Sequence, residues 1–376
     1  MTEESIATIF MQSVRGANTT GKLKRMIGSF GSLYAAANAS YEELMAVIGP
    51  EGATNIVNTR EMEGLEGAAA TLSARKIGFT GIEDDDYPEK LKLIPDAPHG
   101  LYYLGKLPPD KPTVSIVGAR NCSEYGRQMT REFSREIADS GISVISGMAR
   151  GIDSIAERST LDVDGYTCAV LGCGVDICYP AENRELYEDI KRRGCIISEY
   201  PPGTKPVAGF FPARNRIIAG LSDALLVMEA REKSGTLITV GLALEQGKDI
   251  YALPGRATDS LSLGCNQLIR DGAGILLRPE LFVEEFLENS EYGINDTSVC
   301  NAIRNSVSKE ELLCASLSPD ELLIRNCLDY LPQSVSEIFF KVSSVSNMSL
   351  SEVMQHLTTM TINKKINCID GMNYSL

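Results

Sequence analysis

Residues 113–153 read TVSIVGARNCSEYGRQMTREFSREIADSGISVISGMARGID, and this stretch decides the fold. Two short apolar runs, residues 114–118 and 142–146, are rich in the β-branched residues that strands favour. Between them lies an amphipathic segment of helical length, residues 124–140, and Gly141 follows it at a position where helices often end in glycine. The stretch therefore predicts a strand, a helix and a second, parallel strand.

The same alternation continues through the middle third of the chain. Five further apolar runs have the length of strands; they are residues 167–172, 195–199, 224–229, 250–253 and 275–277. A second clear helix, residues 236–246, ends at Gly247. Strands that are apolar on both faces and alternate with helices predict a parallel sheet covered by helices. The predicted fold class is α/β, with a doubly wound, Rossmann-like central domain.

The two ends of the chain predict smaller helical domains. Short helices are expected at residues 4–13, 22–27, 33–37 and 41–48, the last with a capping box of Ser40 and Glu43. Near the other end, three capping boxes introduce helices at about 319–330, 335–341 and 350–360; they pair Ser318 with Glu321, Ser334 with Glu337, and Ser349 with Glu352. An alternating stretch with a turn at Asp370-Gly371 follows. Three helices before a hairpin are typical of a winged helix.

These patterns divide the chain into four predicted segments. They are a helical domain at residues 1–82, an extended Rossmann-like domain at 83–288, a polar linker at 289–316 and a winged-helix-like domain at 317–376. The Pro-rich run after the acidic residues 83–86 shows no regular period. We expect that run to pack irregularly along the sheet or to act as a linker into it.

Composition predicts a cytoplasmic protein. The 376 residues are 43% hydrophobic, and no apolar run approaches the ~20 residues that cross a bilayer, so we expect no membrane partner. The N-terminus, MTEESIATIF, lacks the basic start of a secretory signal. Ten cysteines include no C-x-x-C pair, and the evenly spaced Cys168, Cys173 and Cys178 have no histidine near them in sequence. We expect reduced thiols and no metal or other cofactor.

The net charge of −14 argues against a nucleic-acid partner, because proteins that bind phosphate backbones normally carry a basic surface. The charge is unevenly distributed, however. Residues 1–110 carry 10 Lys and Arg against 15 Asp and Glu, residues 111–280 carry 20 against 22, and residues 281–376 carry 6 against 13. The central third is nearly neutral, so the objection applies mainly to the terminal regions.

Corners that follow predicted strands are rich in glycine. The residues of interest there are Gly118 with Arg120, Gly147, and Gly235 with Thr236. Where parallel strands end and helices begin, exposed backbone N–H groups bind anions, and phosphate suits such sites. The alternative is that these glycines only permit tight turns, since no G-x-G-x-x-G motif is complete.

One further stretch, SEYPPGTKPVAGFFPARNRIIAG at residues 198–220, combines cations with aromatic rings. Its candidate binding residues are Lys205, Phe210, Phe211, Arg214 and Asn215. Pro212 is placed to start a helix, and arginine in the first turn would oppose the helix dipole, which indicates an anionic ligand. Single-stranded nucleic acid fits, because cations contact its backbone and a phenylalanine stacks on a base. The alternative places both phenylalanines in the core and the arginines in ion pairs.

Catalytic constellations are poorly represented. His99 lies in the Pro-rich segment and His356 in the tail, which excludes a Ser-His-Asp triad in the central domain. No Walker motif, H-E-x-x-H motif or zinc spacing occurs. Acidic residues available to a hydrolase are expected instead to cap helices, form turns or pair with cations; they are Asp153, Asp176, Glu199, Asp223 and Glu229. We expect no catalytic residues and no enzymatic activity.

Five stretches, in this order, closely resemble the DNA-processing protein A family (DprA, also called Smf). They are SIVGARNCSEYGRQ, SGMARGIDSIAE, AVLGCGVDICYP, FFPARNRIIAGLSDALLVMEAREKSGTLITVGLALEQGKDIYALPG and CNQLIRDGAGILL, and the resemblance covers about 85–290. It implies an N-terminal helical SAM-like domain, a Rossmann domain that forms a homodimer, and a C-terminal winged helix. It also implies a role in natural transformation, with binding of incoming single-stranded DNA and loading of the RecA recombinase.

Carried over by position, the resemblance implies a set of DNA contacts. They are Gly118, Arg120, Lys205, Phe210 or Phe211, Arg214, Asn215, Gly235 and Thr236, and the corner glycine Gly147 completes the predicted DNA-binding residues. Two departures stand out. The helical start, SVRGANTTGKLKRM, lacks a Gly-x-Gly turn, and the acidic tail has only Lys364-Lys365 as basic residues near the expected wing. A structural or protein-contact role for the tail is therefore at least as well supported as reading of duplex DNA.

Two other functions remain open at this point. The central domain is also similar to Rossmann-like nucleotide phosphoribohydrolases, whose motif is P-G-G-x-G-T-x-x-E. Here residues 231–239 read REKSGTLIT, so the paired glycines are absent and Thr239 stands in place of the glutamate. The other possibility is a pure adaptor that contacts only proteins, against which the basic and aromatic loop argues.

Overall fold

The computed structural model of the chain describes residues 1–289, 316–328, 332–363, 365–369 and 372–375. The chain divides into two compact units, one of residues 1–122 and 130–279 and one of residues 123–129 and 280–376. Within the described residues, no helix combines the length and the apolar character needed to cross a bilayer.

The first unit is built on a nine-stranded, mostly parallel sheet. Its strands are β1 (Gly78–Gly81), β2 (Gly100–Gly105), β3 (Thr113–Val117), β4 (Ser143–Ser146), β5 (Thr167–Val170), β6 (Cys195–Ser198), β7 (Ala224–Val227), β8 (Asp249–Ala252) and β9 (Gly274–Ile275). Their order across the sheet is β1-β2-β6-β5-β4-β3-β7-β8-β9. The strands from β3 to β9 are mutually parallel and correspond to the seven predicted strands. The Rossmann-like prediction is confirmed.

The Pro-rich segment differs from the prediction of an irregular stretch, because part of it forms β2. This strand pairs antiparallel with both β1 and β6, and so adds an antiparallel edge to the parallel sheet. Its residues alternate between the two hydrophobic cores, with Leu101 on one side of the sheet and Tyr102 and Leu104 on the other. The strand is thus apolar on both faces. It was not predicted because it is only six residues long and prolines flank it.

Helices precede the sheet, connect its strands and, in the case of α14, follow its last strand in the chain. In chain order they are α1 (Glu3–Ser13), α2 (Thr20–Phe30), α3 (Leu33–Asn38), α4 (Tyr41–Ile48), α5 (Pro50–Glu63), α6 (Glu66–Ala74), α7 (Glu89–Lys92), α8 (Glu124–Asp139), α9 (Ile152–Asp162), α10 (Arg184–Arg193), α11 (Phe210–Gly220), α12 (Thr236–Glu245), α13 (Leu263–Arg270) and α14 (Pro279–Asn289). The predicted capping box of α4 is present in full. Two helices of the N-terminal region, α5 and α6, were not predicted.

The N-terminal helices have a hydrophobic core of their own. Its fully buried members include Phe10, Met11, Leu33, Leu44 and Ile56. Helix α1 also packs on the sheet, because Ile9 joins the cluster that contains Phe79 and Tyr102 of the antiparallel edge. Burial of each such side chain stabilises the folded state by about 1.5–3 kcal/mol. The N-terminal region is therefore held together by its own core and contacts the edge of the sheet through Ile9.

The tail has the outline of a winged helix. It contains α15 (Pro319–Cys327), α16 (Val335–Ser343) and α17 (Leu350–Ile362), with a three-stranded sheet of β10 (Gln333–Ser334), β11 (Asn367–Ile369) and β12 (Asn373–Ser375) in the order β10-β12-β11. All three predicted capping boxes are formed. The predicted turn at Asp370-Gly371, and residues 290–315 of the predicted linker, lie outside the described residues.

Candidate functional site

A cleft of about 850 Å³ opens in the first unit at the carboxyl ends of the central strands. It lies where the strand order reverses, between β3 and β7. Residues 118–121, which follow β3, and several of residues 230–236, which follow β7, line it from either side. Open α/β sheets bind ligands at such a reversal, because the loops that leave the two strands diverge there.

The segments around the cleft expose backbone donors. Gly235 precedes the first residue of α12, Thr236, and both line the cleft. A Cβ added to Gly235 would meet nothing within 4 Å, so packing does not require glycine at this position. The first N–H groups of a helix have no partner within the helix and favour anions. A phosphate oxygen is therefore a suitable ligand at this end of α12.

Arg214 lies under the cleft with its guanidinium buried. Its Nη1 atom donates a hydrogen bond of 2.8 Å to the carbonyl oxygen of Gly147 and a second bond to the carbonyl oxygen of Val170. Its Nε atom donates to Asn215 Oδ1 at 3.1 Å. This arginine is only 5% exposed, so it serves first to join the carboxyl ends of β4 and β5 to α11.

Two buried carboxyl groups on α9 face this arginine. Burial raises the pKa of Asp153, while the charges of Arg214 and Arg120 and two backbone N–H groups oppose the rise. Burial also raises the pKa of Glu157 well above its usual value, and the charge of Asp153 adds to the shift. Glu157 Oε1 accepts a bond of 3.1 Å from the Met148 N–H, and its Oε2 atom has no partner among the described residues. The floor of the cleft thus holds one guanidinium and two carboxyl groups.

The loop that follows β4 is held in a strained conformation. Met148 has a φ of 53°, in the left-handed region that non-glycine residues rarely adopt. Its N–H is bound by Glu157, and its carbonyl oxygen accepts a bond of 2.9 Å from Asn183 Nδ2. Gly151, at the end of this loop, has a φ of 76° and precedes α9. Strain of this kind is concentrated at functional sites, where the surrounding contacts maintain it.

Aromatic rings and a guanidinium are stacked along one wall. The Arg120 guanidinium carbon lies 6.0 Å from the centre of the Phe211 ring. The Tyr179 ring lies 5.4 Å from Phe211 at an angle of 31°. Phe210 instead stacks on Tyr200, with ring centres 4.3 Å apart. Phe211 and Tyr179 line the cleft, so the wall offers flat surfaces beside a cation.

The cleft brings together most of the predicted binding residues. Those that line it are Gly118, Arg120, Phe211, Arg214, Asn215, Gly235 and Thr236. Gly147 lies beneath it against Arg214, and the exposed Lys205 precedes the lining residue Pro206 without lining the cleft itself. Phe210 is likewise outside the lining. The contact of each of these residues with DNA stays a prediction.

One local prediction was wrong. Pro212 does not start its helix, because α11 already begins at Phe210 and Pro212 is its third residue. Proline is tolerated there, since the first-turn N–H groups need no partner within the helix. Arg214 is therefore the fifth residue and lies beyond the first turn, where the helix dipole opposes it less. Ile217, Ile218 and Leu221 form the buried face that was predicted.

The polar and aromatic lining residues missed from the sequence include Asn121, Tyr179 and Arg231. Arg231 follows β7 at its carboxyl end, and that position was the available signal. Neither Arg120 nor Arg231 has an ion-pair partner among the residues that the structure describes. Two exposed, unpaired guanidinium groups therefore flank the cleft, one on each side of the reversal in strand order.

The acidic residues considered for catalysis take structural positions in the first unit. Glu199 pairs with Arg216 at 2.5 Å, and Asp223 pairs with Lys90 at 2.7 Å. Asp176 accepts a bond of 2.8 Å from the Gly203 N–H. Thr239 lines the cleft at the position where a phosphoribohydrolase would carry its glutamate. Among the described residues, no group of histidines, cysteines and acidic residues is placed to hold a metal ion.

Comparison with known proteins identifies a matching family and several sequence relatives. Residues 78–287 match the sequence model of a family described as DNA recombination-mediator protein A. The chain is 48% identical over 204 residues to the protein Smf of Synechocystis sp., a match that covers 53% of this chain and 51% of that protein. It is 40% identical over 223 residues to the DNA processing protein DprA of Streptococcus pneumoniae, with coverage of 59% and 79%. The matched region thus spans about half the length of the first relative.

Two solved structures are also similar to the chain. The X-ray structure of DprA from Streptococcus pneumoniae has a TM-score of 0.64 at 32% identity, and the match covers 76% of this chain and 98% of that one. The second is a structure of DNA processing protein A from Helicobacter pylori, which is described for its single-stranded DNA binding mode. It has a TM-score of 0.52 at 31% identity, and the match covers 57% of this chain and 97% of that one.

Proposed function

Since the chain belongs to the DNA recombination-mediator protein A family, we propose that it binds single-stranded DNA in the cleft and acts in DNA processing during natural transformation. One observation carries the proposal. The exposed guanidinium groups of Arg120 and Arg231 flank a cleft that also contains the start of α12 and the rings of Phe211 and Tyr179. Cations and backbone donors suit phosphates, and exposed ring faces suit bases of any sequence.

The cleft supports binding without chemistry on the strand. The charged groups on the floor of the cleft interact with one another and with the backbone. Arg214 is bound to backbone carbonyl oxygens and lies opposite Asp153 and Glu157. We propose that the protein is not an enzyme and needs no cofactor. Release of ribose 5-phosphate from nucleoside monophosphates by the purified chain would instead support the phosphoribohydrolase alternative.

The partners in this proposal follow the family. We propose that the chain forms a homodimer in the cytoplasm and delivers its bound strand to the RecA recombinase. The test for the partners is direct: size-exclusion chromatography with light scattering gives the oligomeric state, and RecA filament formation on strands coated by a single-strand-binding protein gives the loading activity. A monomer, or no stimulation of filament formation, would remove the corresponding partner from the proposal.

A mobility-shift experiment tests the DNA-binding proposal itself. The purified chain is titrated into a labelled oligothymidylate of about 20 nucleotides, long enough to fill more than one site of the usual size. We expect a shifted complex at low salt that unlabelled single strands of other sequences displace and that duplex of the same length displaces poorly. Absence of a complex at low salt would refute the proposal.

A further inference from the structure

Tyr179 presents an exposed aromatic ring at the rim of the cleft. It is 43% exposed, whereas Phe210 and Phe211 are only partly exposed. The neighbours of Phe211 are the Arg120 guanidinium at 6.0 Å and the Tyr179 ring at 5.4 Å, and Phe210 is covered by Tyr200. Tyr179 is therefore the more exposed of the two rings in the stack that runs from Arg120 through Phe211.

One arginine lies near this ring in space, and a second follows it closely in sequence. Arg150 forms a two-point contact with Glu182, at 2.5 and 2.8 Å, and the Tyr179 hydroxyl lies within its electrostatic range. Arg184, five residues after Tyr179, lies 3.5 Å from Glu188. The two arginine side chains are 59% and 64% exposed. The exposed Arg184–Glu188 pair contributes little to stability, so a phosphate can replace its carboxylate at small cost while the Arg184 guanidinium stays 5.6 Å from the centre of the Tyr187 ring. Arg150 would exchange its two-point contact with Glu182 for a charge-assisted contact with a phosphate.

We propose that Tyr179, Arg150 and Arg184 form a second contact site for single-stranded DNA, which extends outward from the rim of the cleft. A base stacks on the ring of Tyr179, and the two arginines bind the phosphates next to it. This inference rests on the proposed function and adds the direction in which the strand leaves the cleft, over Tyr179 and toward α10. Stacking of this kind is tolerant of sequence, because every base has a flat face.

Fluorescence gives a direct test, because the chain contains no tryptophan. In a Tyr179→Trp variant the single indole reports stacking, since a nucleobase in contact with it quenches its emission. Tyr34→Trp is the matched control, because Tyr34 is 39% exposed and lies on α3, away from the cleft. We expect oligothymidylate to quench the emission of Tyr179→Trp, with the same midpoint as the anisotropy of a labelled strand. The emission of Tyr34→Trp should not change.

Affinity measurements test the ring and the charges separately. Tyr179→Leu should weaken binding by about 5- to 150-fold, the usual effect of removing one stacked side chain, while Tyr179→Phe should bind as the native chain does. Arg150→Ala should lower the magnitude of the salt slope by about 0.7, the value for one phosphate contact to a single strand. Arg192→Ala, which removes an exposed arginine paired with Asp189, is the matched control and should leave the slope unchanged.

The outcomes separate this inference from the proposed function. If the native chain binds no single-stranded DNA, the proposed function fails. If the native chain binds but Tyr179→Trp is not quenched, the stacking at the rim is wrong and the cleft remains the binding site. The same conclusion follows if Tyr179→Leu, folded by its circular dichroism spectrum, binds as tightly as the native chain. Tyr179→Trp retains an aromatic ring against Phe211, so its result stands even if Tyr179→Leu fails to fold.

Discussion

Gly147 and Arg214 are fitted to one another beneath the cleft. The guanidinium of Arg214 donates to the Gly147 carbonyl oxygen at 2.8 Å, and a Cβ added to Gly147 would lie 2.6 Å from the carbon at the centre of that guanidinium. The arginine is also bound to the carbonyl oxygen of Val170, so it has little freedom to move aside. Packing against Arg214 alone therefore requires glycine at this corner.

Gly147→Ala should destabilise the fold. The added methyl group overlaps a side chain held by two carbonyl oxygens, and overpacking of this kind costs about 1–3 kcal/mol. Urea denaturation followed by circular dichroism measures the change. Gly235→Ala is the matched control, because its added Cβ meets nothing within 4 Å and its φ of −61° suits any residue. Equal stability of the two variants would show that Arg214 can move away.

Arg214→Met should be severely destabilising, by about 3–5 kcal/mol, because it leaves the carboxyl groups of α9 buried without their cation. The double variant Arg214→Met with Glu157→Gln removes one of these carboxyl groups and should recover part of the loss. Both are measured by urea denaturation. If Glu157→Gln changes the free energy of unfolding by the same amount in the native chain and in Arg214→Met, Glu157 does not interact with the arginine.

Glu157→Gln should change how stability depends on pH. Burial and the charge of Asp153 raise the pKa of Glu157 in the folded state, so the folded chain keeps a proton that the unfolded chain has released. Stability is therefore lost as the pH rises from the unfolded value of 4.5 toward the raised folded value. The variant should be more stable than the native chain at neutral pH, with a difference that disappears as the pH falls below about 4. A difference that is constant from acid to neutral pH would contradict this account.

Lys365→Ala should affect the tail and not the binding of DNA. Lys365 Nζ donates to Glu321 Oε2 at 3.3 Å and to the Ser316 carbonyl oxygen at 3.2 Å, and its side chain is 16% exposed. It therefore joins the two ends of the winged helix. We expect a lower free energy of unfolding for the tail, by differential hydrogen exchange, with unchanged affinity for single-stranded DNA. A loss of affinity would give this lysine a role in binding.

The sequence was most informative where a pattern repeats locally. The capping boxes at Ser40, Ser318, Ser334 and Ser349 are all formed, because each depends on only four consecutive residues. The parallel strands were equally clear, since strands buried on both faces are continuous apolar runs. The six-residue β2 was missed because prolines flank it and its partners, β1 and β6, are distant in sequence.

The sequence predicted many residues of the candidate site but not how they are arranged in space. Arg214 was expected to contact a ligand, and its burial depends on the carbonyl oxygens of Gly147 and Val170, 67 and 44 residues away. Tyr179 gave no local signal, because a single tyrosine gains significance only from the loops that assemble beside it. The signal for Arg231 was limited to its position after β7. Long-range assembly of this kind cannot be read from spacing alone.

In the proposed complex the cleft binds single-stranded DNA through Arg120. The most direct test compares the native chain with Arg120→Ala in fluorescence anisotropy with a labelled oligothymidylate over a series of salt concentrations, with Arg192→Ala as the control outside the cleft lining. We predict that Arg120→Ala binds more weakly and that its log–log salt slope is smaller in magnitude by about 0.7, one phosphate contact. A folded Arg120→Ala variant with the affinity and the slope of the native chain would contradict the account.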